Sequence, residues 1–186
     1  MAGVKKKAKR EQRLIVCVDE AAFYLLAGLV RTYAPCGETP VLRVFQTRDH
    51  LSVMSGVTLN GHLTTRTRAY ALTGLDSISF LQHLSWYFGC KLLVIWDGAT
   101  IHRSQEVQEF LAAGWAKTIH LERFPAYAPE LNPDEGVWQH LKHVELRNLR
   151  CFDFNHLSME LKLAIRRMRN KPDLIQSFFT GAKLAL

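Results

Sequence analysis

The sequence predicts a mixed α/β domain in which antiparallel strands precede parallel ones and helices flank the sheet. Three observations carry that reading. Two uninterrupted apolar runs, LIVCVDE from Leu14 and KLLVIWDG from Lys91 to Gly98, have the length and continuity of strands buried on both faces. Between them, Asn60-Gly61 separates two β-rich stretches and offers the positive-φ pair of a tight type I′ hairpin. From Asp76 the apolar period lengthens to that of a helix, through Ile78, Leu81, Leu84, Ser85 and Phe88.

Taken in order, residues 1–12 hold the run KKKAKR (Lys5 to Arg10) and read as a solvated basic tail. The first buried strand ends in Asp19 and Glu20. Beyond it, AAFYLLAGLVRTYAPCGETPVLRVFQ divides into an aromatic-rich half, a turn at Pro35 and Gly37, and a β-rich half after Pro40. HLSVMSGVTLNGHLTTRTRAYAL is the hairpin. Asp76 is the expected N-cap of the first core helix, which closes at Gly89. After the second buried strand, Val107, Phe110 and Leu111 mark one face of a helix, and KTIHLERF reads as a short strand. PDEGVWQHLKHVEL then sets Val137, Leu141 and Val144 on one helical stripe. LSMELKLAIRRMRN does the same with Leu157, Leu161, Ala164 and Met168, and leaves Lys162, Arg166 and Arg169 opposite. The order describes one α/β domain over 13–150 and a helical extension over 151–186.

Composition narrows the class. The chain has 186 residues, 48% hydrophobic and 22% charged, enough for a core without metal or disulfide staples and unlike a disordered or fibrous sequence. A net charge of +7 favours an acidic partner, of which nucleic acid is the commonest. Cys17, Cys36, Cys90 and Cys151 form no C-x-x-C pair, so reduced thiols in the cytoplasm are expected. No apolar run approaches the roughly 18 residues of a membrane span, and none follows the N-terminal charges as a signal peptide requires.

Asp19 and Asp97 are each the first acid after an apolar run. If those runs are adjacent parallel strands, both carboxylates emerge at the same carboxyl edge, where α/β sheets place their sites. Two ionised carboxylates that close raise a pKa or require a cation between them. Mg²⁺ is suited to that role, because it takes one or two carboxylates and keeps positions for water and phosphate oxygens. Phosphoryl-transfer enzymes use two such ions about 3.5 to 4 Å apart, normally with a third carboxylate. Glu135 is the candidate, although NPDE (Asn132 to Glu135) is also a sound capping box. Asp-Gly at 97–98 is likewise a common turn pair. His102, five residues after Asp97, can orient a carboxylate or a water, or simply cap the next helix.

The three blocks VDEAAFYLL, WDGATIHRS and PAYAPELNPDEGVW together resemble the catalytic domain of mariner-like DDE transposases, in particular their bacterial insertion-sequence branch. The likeness runs from about Leu14 to Leu149, and the third block is its most specific part. The resemblance implies a ribonuclease-H-like fold in which three acids bind two Mg²⁺ or Mn²⁺ ions and cut DNA strands. The freed 3′-hydroxyl then attacks target DNA. By motif the acids are Asp19, Asp97 and Glu135. Many members have Asn where Gly98 stands. Members also carry helix-turn-helix modules ahead of the first catalytic strand, where only about a dozen residues stand here. Recognition of the transposon ends is therefore expected from a separate helix-turn-helix polypeptide. The resemblance further implies a homodimer acting on double-stranded DNA, both transposon ends and target, in a cytoplasmic, nucleoid-associated setting. Lys142, Lys162, Arg166 and Arg169, with KKKAKR, are the expected phosphate contacts. Two other readings remain open at this point: a structure-selective nuclease of the same fold, and a non-catalytic DNA-binding or assembly fragment of a decayed transposase.

Overall fold

The structure is a computed structural model and describes residues 2–25, 33–38, 41, 49–125 and 128–182. Leu14–Tyr24 (β1) is the central strand of a five-stranded mixed sheet. On one side it pairs antiparallel with His50–Thr58 (β2), which pairs antiparallel with Leu63–Arg68 (β3). On the other side it pairs parallel with Leu92–Trp96 (β4), which pairs parallel with Ile119–Arg123 (β5). This is the ribonuclease-H-like arrangement, and its three-antiparallel-then-parallel order is the one the sequence predicts.

Alternation along the buried strands assigns each side chain to a layer. Val16, Val18, Leu92, Val94 and Trp96 face Phe80, Leu81 and Leu84 of Gly74–Phe88 (α2) and Val107 of Gln105–Ala112 (α3). Cys17, Leu93 and Ile95 face the opposite layer. That layer contains Val137 and Trp138 of Pro133–His140 (α4), Leu161 and Met168 of Phe154–Arg169 (α5), and Phe179 of Pro172–Gly181 (α6). The C-terminal helices therefore complete the core of the sheet's second face. Within this layer α6 lies so close to α4 that a Cβ on Gly136 would overlap the Phe178 ring.

Five local expectations change. The basic tail is instead a helix, Ala2–Arg10 (α1): Ala8 is buried, Val4 packs one turn earlier, and Lys7 Nζ pairs with Glu122 Oε1 at 2.8 Å. Its Ala, Lys and Arg residues are good helix formers, and the Val4–Ala8 spacing supplies an apolar contact that the charge run conceals. Asp76 is not the N-cap of α2 but its N3 residue. Thr73 caps, and the two side chains exchange bonds with each other's backbone N–H.

The hairpin turn has positive φ only at Gly61, and the loop Leu59-Asn60-Gly61 is closed by Gly61 N to Thr58 O (2.9 Å) and Thr58 N to His62 O (3.1 Å). One extra loop residue replaces the expected two-residue type I′ turn. The helix from Pro133 widens to a π-turn over Leu141–Glu145, with Leu146 N bonded to Leu141 O at 2.9 Å. The inserted residue rotates Val144 to the surface, where it is 55% exposed, and buries Leu146 in its place. Finally, β1 runs on to Tyr24 instead of stopping at its acids, because β2 continues to pair with it beyond the end of β4.

The turn at Pro35 and Gly37 is present, with Glu38 N bonded to Pro35 O and Gly37 at φ 87°. The β-rich half expected after Pro40 lies almost wholly outside the described residues. All four cysteines are free thiols. No helix among the described residues is long and apolar enough to cross a membrane.

Candidate active site

The sheet register brings the two strand-borne acids together. Cys17 pairs with Ile95 in the parallel β1–β4 ladder, and continuing that register by two residues places Asp19 beside Asp97 on the face covered by α4. The third acid arrives on the connection from β5. Pro125, Pro129 and Pro133 restrict this chain, and Asn132 caps α4 by accepting a bond from Asp134 N at 3.2 Å. Asn132 thus does the capping, and Glu135 turns towards the strands. Asp19, Asp97 and Glu135 line one cleft of about 440 Å³, together with Gly98, Arg123, Phe124 and the proline-rich connection.

Each strand acid has a defined partner. Trp138 Nε1, one turn along α4, donates to Asp19 Oδ2 at 3.0 Å, and the indole packs edge-on against Phe23. Asp97 Oδ1 accepts from Ala99 N at 2.8 Å. His102 lies behind Asp97 with its ring stacked flat on Trp96, the centroids 4.1 Å apart. Its Nε2 donates to Glu20 Oε1 at 2.7 Å, and its Nδ1 stands 2.9 Å from Asp97 Oδ1 without the alignment of a full hydrogen bond. Burial works against a charge on this ring. The Glu20 bond and the Glu20 and Asp97 charges outweigh that and raise its pKa. The ring thus stands between two carboxylates.

Glu20, Asp97 and His102 each bring one ligand atom within 4.8 Å of the others, a spacing compatible with a divalent cation. They overlap the first set at Asp97. Because the two ring nitrogens of His102 already face different carboxylates, the side chain is better placed as a bracket for Asp97.

Electrostatics favour a cation among the cleft acids. Burial pushes the Asp19 carboxyl up to about 7; the Trp138 N–H opposes this, while the charges of Glu20 and Glu135 add to it. Asp134 is completely buried behind Asp19 and carries a bond from the Ser55 hydroxyl. Burial first, and then the Asp19 charge, hold its pKa well above the ordinary carboxylate value. Its Oδ2 has no hydrogen-bond partner among the described residues. Carboxylates crowded in this way, with oxygen donors opening on one cleft, fit Mg²⁺ or Mn²⁺.

The sign of the pH dependence follows. A folded-state pKa above the ordinary value means that Asp19 stabilises the metal-free fold most below about pH 4, and that this contribution is lost as the pH rises through 7. A metal ion must displace the same proton. Apparent Mn²⁺ affinity is therefore expected to rise about tenfold per pH unit up to pH 7 and then level off, with close to one proton released at pH 6. Calorimetry in buffers of different ionisation enthalpy measures this, and a pH-independent affinity would contradict it.

The expected nucleic-acid contacts have separate settings. Lys162 and Arg166 stand exposed on α5. Lys142 Nζ lies 5.4 Å from the centroid of Phe23. Arg169 binds Leu63 O and Thr65 Oγ1, both at 3.0 Å, and so ties α5 to β3. None of the four lines the acid cleft. Sequence reading missed three residues around the site: Arg123, which lines the cleft, and Glu20 and Asp134, each the immediate neighbour of an expected acid, which stand outside its lining against His102 and Ser55. Only the adjacency of Glu20 and Asp134 to those acids was visible in the sequence.

Fold and site together define a ribonuclease-H-like domain with an acidic cleft at the carboxyl edge of its parallel strands. The sequence profile of the DDE superfamily endonucleases matches residues 14–157, and the chain belongs to that family. Its fold is shared with the mariner Mos1 paired-end complex with Mg (TM-score 0.68, 14% identity, covering 98% of this chain and 58% of that one). It is likewise shared with a pre-cleavage Mos1 transpososome (0.64, 14%, 97% and 60%) and the catalytic domain of Mos1 mariner transposase (0.58, 13%, 97% and 89%). The chain thus spans about three fifths of the longer Mos1 chains. No curated protein matches it by sequence.

Proposed function

We propose that the chain is the catalytic domain of an insertion-sequence transposase, cleaving DNA strands and joining the freed ends to target DNA. The observation that carries this is the shared cleft of Asp19, Asp97 and Glu135, drawn from β1, β4 and α4, in a chain of this family. Asp19, Asp97 and Glu135 would hold two Mg²⁺ or Mn²⁺ ions, which when bound supply charge stabilisation at the phosphate and an activated oxygen nucleophile. The protein's own part is preorganisation. Trp138 fixes Asp19, Ala99 N and the Glu20–His102 bracket fix Asp97, and the capped start of α4 fixes Glu135.

Lys142, Lys162, Arg166 and the α1 lysines are the proposed contacts for flanking phosphates, which position a duplex without reading its sequence. The Mos1 likenesses include paired-end complexes, which supports a homodimer holding two ends of double-stranded DNA. Recognition of those ends is proposed to come from a separate helix-turn-helix polypeptide. A cytoplasmic, nucleoid-associated location follows from such a substrate.

Product analysis tests the reading. Incubating the chain with Mn²⁺, a labelled duplex bearing a free 3′-hydroxyl end and a supercoiled target is expected to give joined molecules as well as cuts. Cuts without joined products would instead assign a structure-selective nuclease, and neither product would leave a DNA-binding or assembly role.

A further inference from the structure

Among the described residues lining the cleft the one cation is Arg123, whose guanidinium lies across Gly98, the residue directly after Asp97. A Cβ built on Gly98 would overlap Arg123 Nη2 and stand 3.4 Å from Cζ. Gly98 does not have a positive φ, so no backbone constraint demands glycine there. Its missing side chain makes room for Arg123. None of the ion pairs among the described residues involves Arg123, although it shares the cleft with three carboxylates. Its donors are therefore open to the cleft, at the end of β5 and at the mouth of a site lined with acids.

We infer that Arg123, seated over Gly98, binds a phosphate of the nucleic-acid strand entering the cleft. The inference rests on the proposed cleavage of DNA in that cleft. Three carboxylates repel a phosphodiester backbone, and a planar guanidinium with forked donors at their edge offsets this and orients the phosphate bidentately. The substrate class is a nucleic-acid strand, and Arg123 acts as a binding residue.

The test measures duplex binding and Mn²⁺ binding separately in the full chain. Arg123→Gln is expected to weaken binding of a short fluorescent duplex about tenfold and to lower the salt slope by about one. Mn²⁺ binding, followed by calorimetry without DNA, should tighten, because a positive charge has left the cleft. Opposite effects on the two ligands exclude misfolding, which weakens both. Arg123→Lys is expected to recover part of the affinity.

Gly98→Ala should reproduce the duplex defect with little change in melting temperature, since only the tip of a flexible side chain must move. Combined with Arg123→Gln it should add nothing. The inference is overturned if Arg123→Gln tightens Mn²⁺ binding but leaves duplex affinity and salt slope unchanged, for Arg123 is then only a counter-ion to the acids. Additive defects in the double variant would overturn the Gly98 partnership. Failure of the proposed function reads out differently, as wild-type chain that binds duplex without Mn²⁺-dependent cleavage.

Discussion

Asp97→Asn is expected to abolish the proposed Mn²⁺-dependent DNA cleavage, with a loss of about a thousandfold or more, and to leave the fold intact. The asymmetry comes from the setting of the side chain. Its carboxylate is half exposed and makes one backbone bond, to Ala99 N, which an asparagine Oδ1 can still accept. Stability should then fall only by the charge lost beside the His102 ring, while the ligand's negative charge is gone. Asp19→Asn and Glu135→Gln should behave alike in activity and differ in stability. Asp19 is buried enough that its carboxyl titrates at about 7, so a neutral amide still bonded to Trp138 should equal or exceed the wild type in metal-free stability above that pH. Circular dichroism and thermal melts beside the cleavage assay check both halves, and full cleavage in any one variant removes that residue from the site.

Trp138→Ala is expected to destabilise the domain by about 3–5 kcal/mol, the range for removing a large buried aromatic. Trp138 is 4% exposed, packs against Phe23 beneath the sheet, and belongs to the same apolar cluster as Leu141 and Phe179. The same ring serves the site through its N–H bond to Asp19. Trp138→Phe separates the two roles: most of the packing survives, so the stability loss should be well below that of Trp138→Ala, while Asp19 loses its donor. Denaturant unfolding is expected to show the smaller loss, and calorimetry altered Mn²⁺ binding. Equal stability losses in the two variants would show that the hydrogen bond, not the packing, dominates at this position.

The fold was legible where one interaction decides. Continuous apolar runs of strand length, closed by an acid, fit strands covered on both faces, so β1 and β4 and the acids Asp19 and Asp97 stood out. The period change after Asp76 marked α2 for the same reason. What was hidden depends on partners far along the chain. Asp134 is buried because Ser55, on a strand 79 residues earlier, meets it behind Asp19. Glu20 faces His102 across 82 residues, and nothing local distinguishes it from a solvated strand-end acid. The charge run of α1 masked the Val4 and Ala8 contacts, and the π-turn that exposes Val144 has no signature in a 3.6-residue pattern. Nothing local marks Arg123 either, since only the fold sets its guanidinium across Gly98.

Anomalous scattering from a crystal soaked in Mn²⁺ tests the shared cation site most directly. Density is expected between Asp19, Asp97 and Glu135, with His102 still bonded to Glu20 behind them. An ion held instead by Glu20, Asp97 and His102, with the Glu135 carboxylate left outside its coordination, would contradict the assignment.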